Sequence, residues 1–190
     1  MIPSWTMAGV LPPIRPGETG HSSDRSPYCV PLEEVIDQFA SSPNRISILD
    51  GLLKYRAALH QLGLVSGFQW LDGSFMEDIE AQESRPPNDV DVVTYFYLPN
   101  GETQATLAAK AGSLFSNSHV KATYSVDAYP HVLGEPTSAN HVRQFSYWYS
   151  MWSHRRDGMW KGFIQIDLDP QEDVGARQAL SVIQAGGATS

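Results

Sequence analysis

The sequence predicts a domain of mixed class, α+β (or α/β), with a short mixed β-sheet backed by helices and with helices leading the chain. Three observations carry this. Apolar residues recur at three- and four-residue steps between Leu32 and Leu62. Bulky, β-favouring runs begin at Phe68. From there strand-like and helix-like segments follow one another, with no internal repeat.

The elements follow in order. Residues 1–30 carry Pro3, Pro12, Pro13, Pro16 and Pro27 among glycines and serines. Proline fixes φ and removes a donor, so an extended arm is expected, laid on the domain and anchored by Trp5, Val10, Leu11 and Ile14. These prolines and the lack of a basic start argue against reading residues 1–16 as a signal peptide. The single domain is expected over 31–184. Pro31-Leu32-Glu33-Glu34 has the chemistry of a helix start, and Leu32, Val35, Ile36 and Phe39 share a face. A longer helix is expected from about Asn44, with Leu49, Leu52, Leu53 and Leu59 inward and Gly63 as terminator.

Phe68 to Leu71 reads as a strand ending at Asp72-Gly73-Ser74-Phe75. Glu77 to Glu83 reads as a solvated helix face. Residues 88–97 read as a strand, Pro99-Asn100-Gly101 as a turn, and Thr103 to Phe115 as a helix. Val120 to Tyr129 reads as another strand with Asp127 near its end. Loop residues 134–137 precede a weak, aromatic-rich helix over Ala139 to Met151. Arg155 to Gly158 has hairpin-turn chemistry, and Lys161 to Leu168 alternates as a last strand. Asp173 to Gln184 closes the domain as a helix, and 185–190 are expected to fray.

Composition narrows the function classes. The chain has 190 residues, enough for one domain with a real core. Its 13 Lys and Arg stand against 21 Asp and Glu, for a net charge of −8. That balance argues against coating nucleic acid by bulk charge. With 42% hydrophobic residues the chain is too apolar for intrinsic disorder, and no apolar run nears the ~20 residues of a membrane helix. Cys29 is the one cysteine, so no internal disulfide or cysteine-rich zinc cluster can form, which suits a reducing cytoplasm.

The chemistry concentrates in Leu71-Asp72-Gly73-Ser74-Phe75 and Asp89-Val90-Asp91-Val92. Alternate strand residues share a face, so Asp89 and Asp91 stand side by side while Val90 and Val92 turn into a core. Two such carboxylates repel unless a cation sits between them, and hard oxygen ligands suit Mg²⁺ with substrate phosphates. Gly73 lets a phosphate approach backbone N–H groups, and Ser74 adds a hydroxyl.

Together these residues resemble the polymerase-β-like nucleotidyltransferases, whose signature is an apolar strand ending in Gly-Ser, then an Asp-apolar-Asp-apolar strand. Trp70 to Phe75, Asp89 to Val92 and Lys161 to Ile166 are similar to three strands of a group of short bacterial proteins in that superfamily. The resemblance covers most of residues 31–170, and its linker with Pro86-Pro87 departs from the usual pattern. It implies a minimal nucleotidyltransferase fold that moves a nucleoside monophosphate from an NTP to an acceptor hydroxyl. It also implies two Mg²⁺ (or Mn²⁺) ions on Asp89, Asp91 and a third carboxylate, with Gly73 and Ser74 holding terminal phosphates. Asp127 fits the third place, with Asp167 and Asp169 as competitors. The acceptor would be tRNA, protein or a small molecule. A toxin–antitoxin or defence role, and a homodimer or partner protein completing the cleft, follow from small members of the superfamily. A catalytically inactive nucleotide- or partner-binding module is the alternative, and a metal-dependent phosphohydrolase a third reading.

Other features read more plainly. Asp72 suits a turn or cap, His131 a loop histidine, and Cys29 an inert buried or arm residue. Residues 141–161 gather His141, Arg143, His154, Arg155, Arg156 and Lys161 with six aromatics. They read either as core packing beside a solvated basic turn or as a nucleotide- or RNA-contacting patch.

Overall fold

The computed structural model describes residues 1–134 and 136–187. The order is β1 (Tyr28–Cys29), α1 (Leu32–Phe39), α2 (Pro43–Gln61), β2 (Gly67–Asp72), α3 (Ile79–Glu83), β3 (Val90–Tyr97), α4 (Gln104–Ala111), α5 (Asn117–Tyr124), β4 (Val126–Leu133), α6 (Ala139–Trp152), β5 (Ile164–Asp167) and α7 (Pro170–Gly187). Short 3₁₀ turns lie at Ser74–Met76 and Gly112–Phe115. The class is α+β, and no helix among the described residues is long and apolar enough to cross a membrane.

The five strands form one mixed sheet in the order β1-β5-β2-β3-β4. β2 is antiparallel to both β3 and β5, whereas β3–β4 and β1–β5 are parallel. Side chains alternate across the sheet, so its two faces differ. Leu71, Val90, Val92, Val126, Ala128, Ile164 and Ile166 point to one face and join α1, α2, α5 and α7 in the main core. Trp70, Val93, Tyr95 and Phe163 point to the other, where Trp148 and Trp152 of α6 cover them. α6 buries only those two residues.

The arm is laid on the domain as its apolar anchors require. Val10 and Leu11 are buried, and Trp5 Nε1 donates to the Met76 carbonyl at 2.8 Å. Cys29 lies exposed in β1.

Three expectations are corrected. Residues 120–124 are helical, not strand: α5 runs to Tyr124, Ser125 caps it at φ +56°, and the strand starts only at Val126. α5 turns Val120 inward and brings its C-terminal end onto α2. There a Cβ on Gly51 would lie 1.9 Å from the Tyr124 carbonyl oxygen, so burial outweighs local β preference. The stretch Glu77–Glu83 is a solvated face only in part: Ala81, Gln82 and Glu83 are exposed, but its first half turns inward. Glu77 is buried, and Glu80 forms a two-point ion pair with buried Arg45 at 2.7 and 2.8 Å. The last helix starts at Pro170 and continues to Gly187, so 185–187 are helical; the remainder of the expected frayed tail, 188–190, lies outside the described residues, as does Glu135 of the expected loop.

Candidate active site

Asp72 ends β2, Asp91 stands second in β3, and Asp127 stands second in β4. The strand register pairs Asp72 with Asp91 and Asp91 with Asp127. Residues paired across neighbouring strands point to the same face, so three carboxylates form one row across three strands. Asp89, two residues before Asp91, joins the row through Lys121, whose Nζ lies 2.5 Å from Asp89 Oδ2 and 2.9 Å from Asp127 Oδ2.

Gly73 turns the chain out of β2 at φ +83° and ψ −170°, a conformation open essentially to glycine alone. An ideal Cβ there would stand 2.4 Å from Asp91 Oδ2, so the bend lies directly against the central carboxylate. Ser74 follows at the start of the 3₁₀ turn. The structure brings Asp89, Asp91, Asp127 and Gly73 together, with Ser74 next along the chain. Asp167 is excluded from this group. It pairs with Phe68, four residues from Asp72 along β2, about 13 Å away at strand rise, and Asp169 lies further on.

A lysine stands at each end of the row. On the β4 side Lys121 and Asn117, four apart on α5, both donate to Asp127. On the β2 side Lys161 is buried with its Nζ 2.9 Å from Asp72 Oδ1 and 2.9 Å from Glu77 Oε1. These lysines set the charge states. Burial would raise Asp127, but the hydrogen bonds from Lys121 and Asn117 hold it below the ordinary carboxylate range. Asp91 has no such partner. Burial, then Asp127 and Asp89, push it up to about 6. Burial also pushes Asp72 up to about 7, against the opposing pull of Lys161. Tyr129, next along the same face, is pushed up to about 12 by burial and by Asp127.

The donor set is all carboxylate oxygen, the chemistry of Mg²⁺ or Mn²⁺ sites. The Lys121 ammonium, held by two of these carboxylates, stands in for a cation at one end of the row. Asp91 in the middle makes no direct ion pair among the described residues and feels Lys121 and Lys161 only through space. A divalent ion fits that deficit. Among the described residues, however, no three His, Cys, Asp or Glu side chains already close on a single point.

Asp72 does more than cap a turn, because it is buried in the row beside Lys161. Lys121, Asn117 and Glu77 escaped sequence reasoning. The signal for the first two was their four-residue spacing ahead of Asp127, hidden when 120–124 read as strand. His131 lies four residues beyond Asp127 on the same face, away from the acids. It stacks on Tyr95 and accepts from Trp148 Nε1 at 2.7 Å. The aromatic segment divides. Trp148 and Trp152 are core, whereas Tyr147 and Trp160 are exposed. Arg155 pairs with Asp157, while the side chains of Arg143 and Arg156 have no ion pair or hydrogen bond among the described residues. A cavity of about 460 Å³ opens at the opposite end of β3 and β4, lined in part by Phe96, Phe115, His131, His141 and Phe145; it contains none of the acids.

The fold and site define an α+β domain with a carboxylate row set against a glycine bend. Residues 3–167 match DUF6932, a family of unknown function, and the chain belongs to that family. No curated protein and no solved structure matches the chain.

Proposed function

We propose that the protein is a metal-dependent nucleotidyltransferase of the polymerase-β-like kind, moving a nucleoside monophosphate from an NTP to an acceptor hydroxyl. The single observation that carries this reading is the placement of Asp91. It sits in register with Asp127, two residues from Asp89, and in contact range of the Gly73 bend. Asp89, Asp91 and Asp127 would hold Mg²⁺ or Mn²⁺, which would neutralise the triphosphate and favour the deprotonated acceptor oxygen.

The chain's own residues have distinct roles. Gly73 lets the chain bend directly against Asp91, and Ser74, next along that bend, would offer a hydroxyl to a phosphate. Asp127, held ionised, orients the acceptor hydroxyl. That oxygen gives up its proton to solvent as it forms a bond to the α-phosphorus, the bond to the bridging oxygen breaks, and pyrophosphate carries away the electron pair. Tyr147 and Trp160 present exposed rings, and Arg143 and Arg156 present guanidiniums with no ion pair among the described residues, which suits an RNA acceptor approached by stacking and phosphate contact. A second copy or a partner protein would complete the cleft, in the reducing cytoplasm that the lone cysteine suits.

One observation favours the inactive binding module instead: Lys121 already occupies both Asp89 and Asp127 as an ion-pair partner. The experiment that decides is incubation of wild type and Asp89→Ala/Asp91→Ala with α-labelled NTPs, Mg²⁺ and cell extract. Label on an acceptor, lost in the variant, supports transfer. Nucleotide-induced thermal stabilisation without labelled product supports the binding module, and label released as free hydrolysis product supports a phosphohydrolase.

A further inference from the structure

Among the described residues, Lys121 is the one cation that reaches into the row from the solvent side. Its side chain is 47% exposed, against 16% for Asp89 and 15% for Asp127. The head group is therefore fixed by two carboxylates while its stem borders water. Nothing comparable holds for Lys161, which is 5% exposed and locked between Asp72 and Glu77. The site thus has one permanent internal cation and one that can leave.

We infer that Lys121 is a displaceable counter-ion that competes with the divalent metal for Asp89 and Asp127, and so sets the metal affinity of the site. The inference rests on the metal-binding reading above. Its physical basis is mutual exclusion. An oxygen that accepts the ammonium at 2.5 or 2.9 Å cannot at the same time direct that lone pair to a metal, and two cations at that spacing repel. α5 supports such exchange. Asn117 also donates to Asp127 and to the Ala128 carbonyl, so Asp127 keeps its orientation when the lysine swings out. Lys121 is then a positioning residue: it bridges Asp89 and Asp127 and offsets their mutual repulsion until a stronger cation arrives.

The test measures Mn²⁺ binding directly, by the electron paramagnetic resonance signal of free Mn²⁺, on wild type, Lys121→Met, Lys121→Arg and Asp91→Asn. Circular dichroism fixes the folded fraction, so a loss of fold is not mistaken for a loss of sites. Lys121→Met should bind roughly tenfold more tightly than wild type, within the usual range for coupled sites, and Lys121→Arg should stay near wild type. Asp91→Asn should lose binding. Equal or weaker binding by Lys121→Met, with wild type still binding, overturns the counter-ion role and leaves the metal site standing. Binding by Lys121→Met alone overturns the displaceable role, since the lysine then excludes the metal instead of yielding to it, and refutes metal binding by the wild type. No binding by any protein overturns both.

Discussion

Gly73 and Asp91 touch so closely that no side chain fits between them: a Cβ on Gly73 would stand 2.4 Å from Asp91 Oδ2. Two independent constraints meet at this glycine, its positive φ and the carboxylate on the next strand. Gly73→Ala should therefore cost about 1–3 kcal/mol for the backbone conformation, with a further cost for moving Asp91. Urea unfolding measures the first. The second should appear as loss of Mn²⁺-dependent thermal stabilisation in a variant that still folds. A Gly73→Ala protein as stable and as responsive as wild type would show that the bend does not constrain Asp91.

Lys161 is the mirror of Lys121 in chemistry but not in freedom. Removing it leaves Asp72 and Glu77 buried without their cation, a change that costs about 3–5 kcal/mol when one partner of a buried pair is lost. Lys161→Met should be strongly destabilised by that amount in chemical denaturation. Lys161→Met combined with Asp72→Asn and Glu77→Gln should regain much of it, because no buried charge then remains. Failure of the triple variant to recover relative to the single one would mean that Lys161 acts by packing its stem rather than by charge.

The site's strand residues were legible in the sequence because alternation is a local rule. Asp89, Asp91 and the buried Val90 and Val92 follow from a period of two, and Gly73-Ser74 from turn chemistry. Asp127 was legible as a candidate, but its choice over Asp167 depended on register, which a single sequence does not state. The lysines were not legible. Lys121 sat in a segment whose Val120 and Tyr124 favour strand, and only the packing of α5 on α2 makes it a helix. Glu77 looked like one more surface acid, because its partner Lys161 lies 84 positions away. Contacts of that separation are set by topology, and alternation along one strand does not report them.

His131 gives a pH dependence of defined sign. Trp148 donates to its Nε2, and burial depresses its pKa below the ordinary 6.5. The unfolded chain therefore takes up this proton first as pH falls through about 6.5. Stability from this residue is fully present above that pH and is lost below it, down through the depressed folded value. His131→Gln, which keeps an acceptor without a titrating ring, should flatten the melting-temperature profile on the acid side of about pH 6.5. An unchanged acid-side slope in His131→Gln would assign that slope to other groups.

Arg56 tests whether the opposite face of the sheet is as demanding as the acidic one. It is fully buried in α2, and its guanidinium binds Asp173 of α7 at 2.6 Å and Gln69 of β2 at 2.7 Å. Gln69 passes the connection to Thr94 of β3 at 2.9 Å, so one side chain ties two helices to two strands. Gln69 and Thr94 lie on the core face, next along β2 and β3 from the strand ends that carry Asp72 and Asp91. Arg56→Met should cost about 3–5 kcal/mol, since Asp173 is left buried without its main partner. Lys at position 56 keeps the charge but not the fork that reaches both Asp173 and Gln69, so Arg56→Lys should recover only part of the loss. Because the network anchors β2 and β3 from behind, Arg56→Lys should also weaken Mn²⁺ binding at the row, measured on the folded protein below its melting point. Full recovery of both stability and Mn²⁺ affinity in Arg56→Lys would show that charge alone, and not the bidentate geometry, holds the two strands in register.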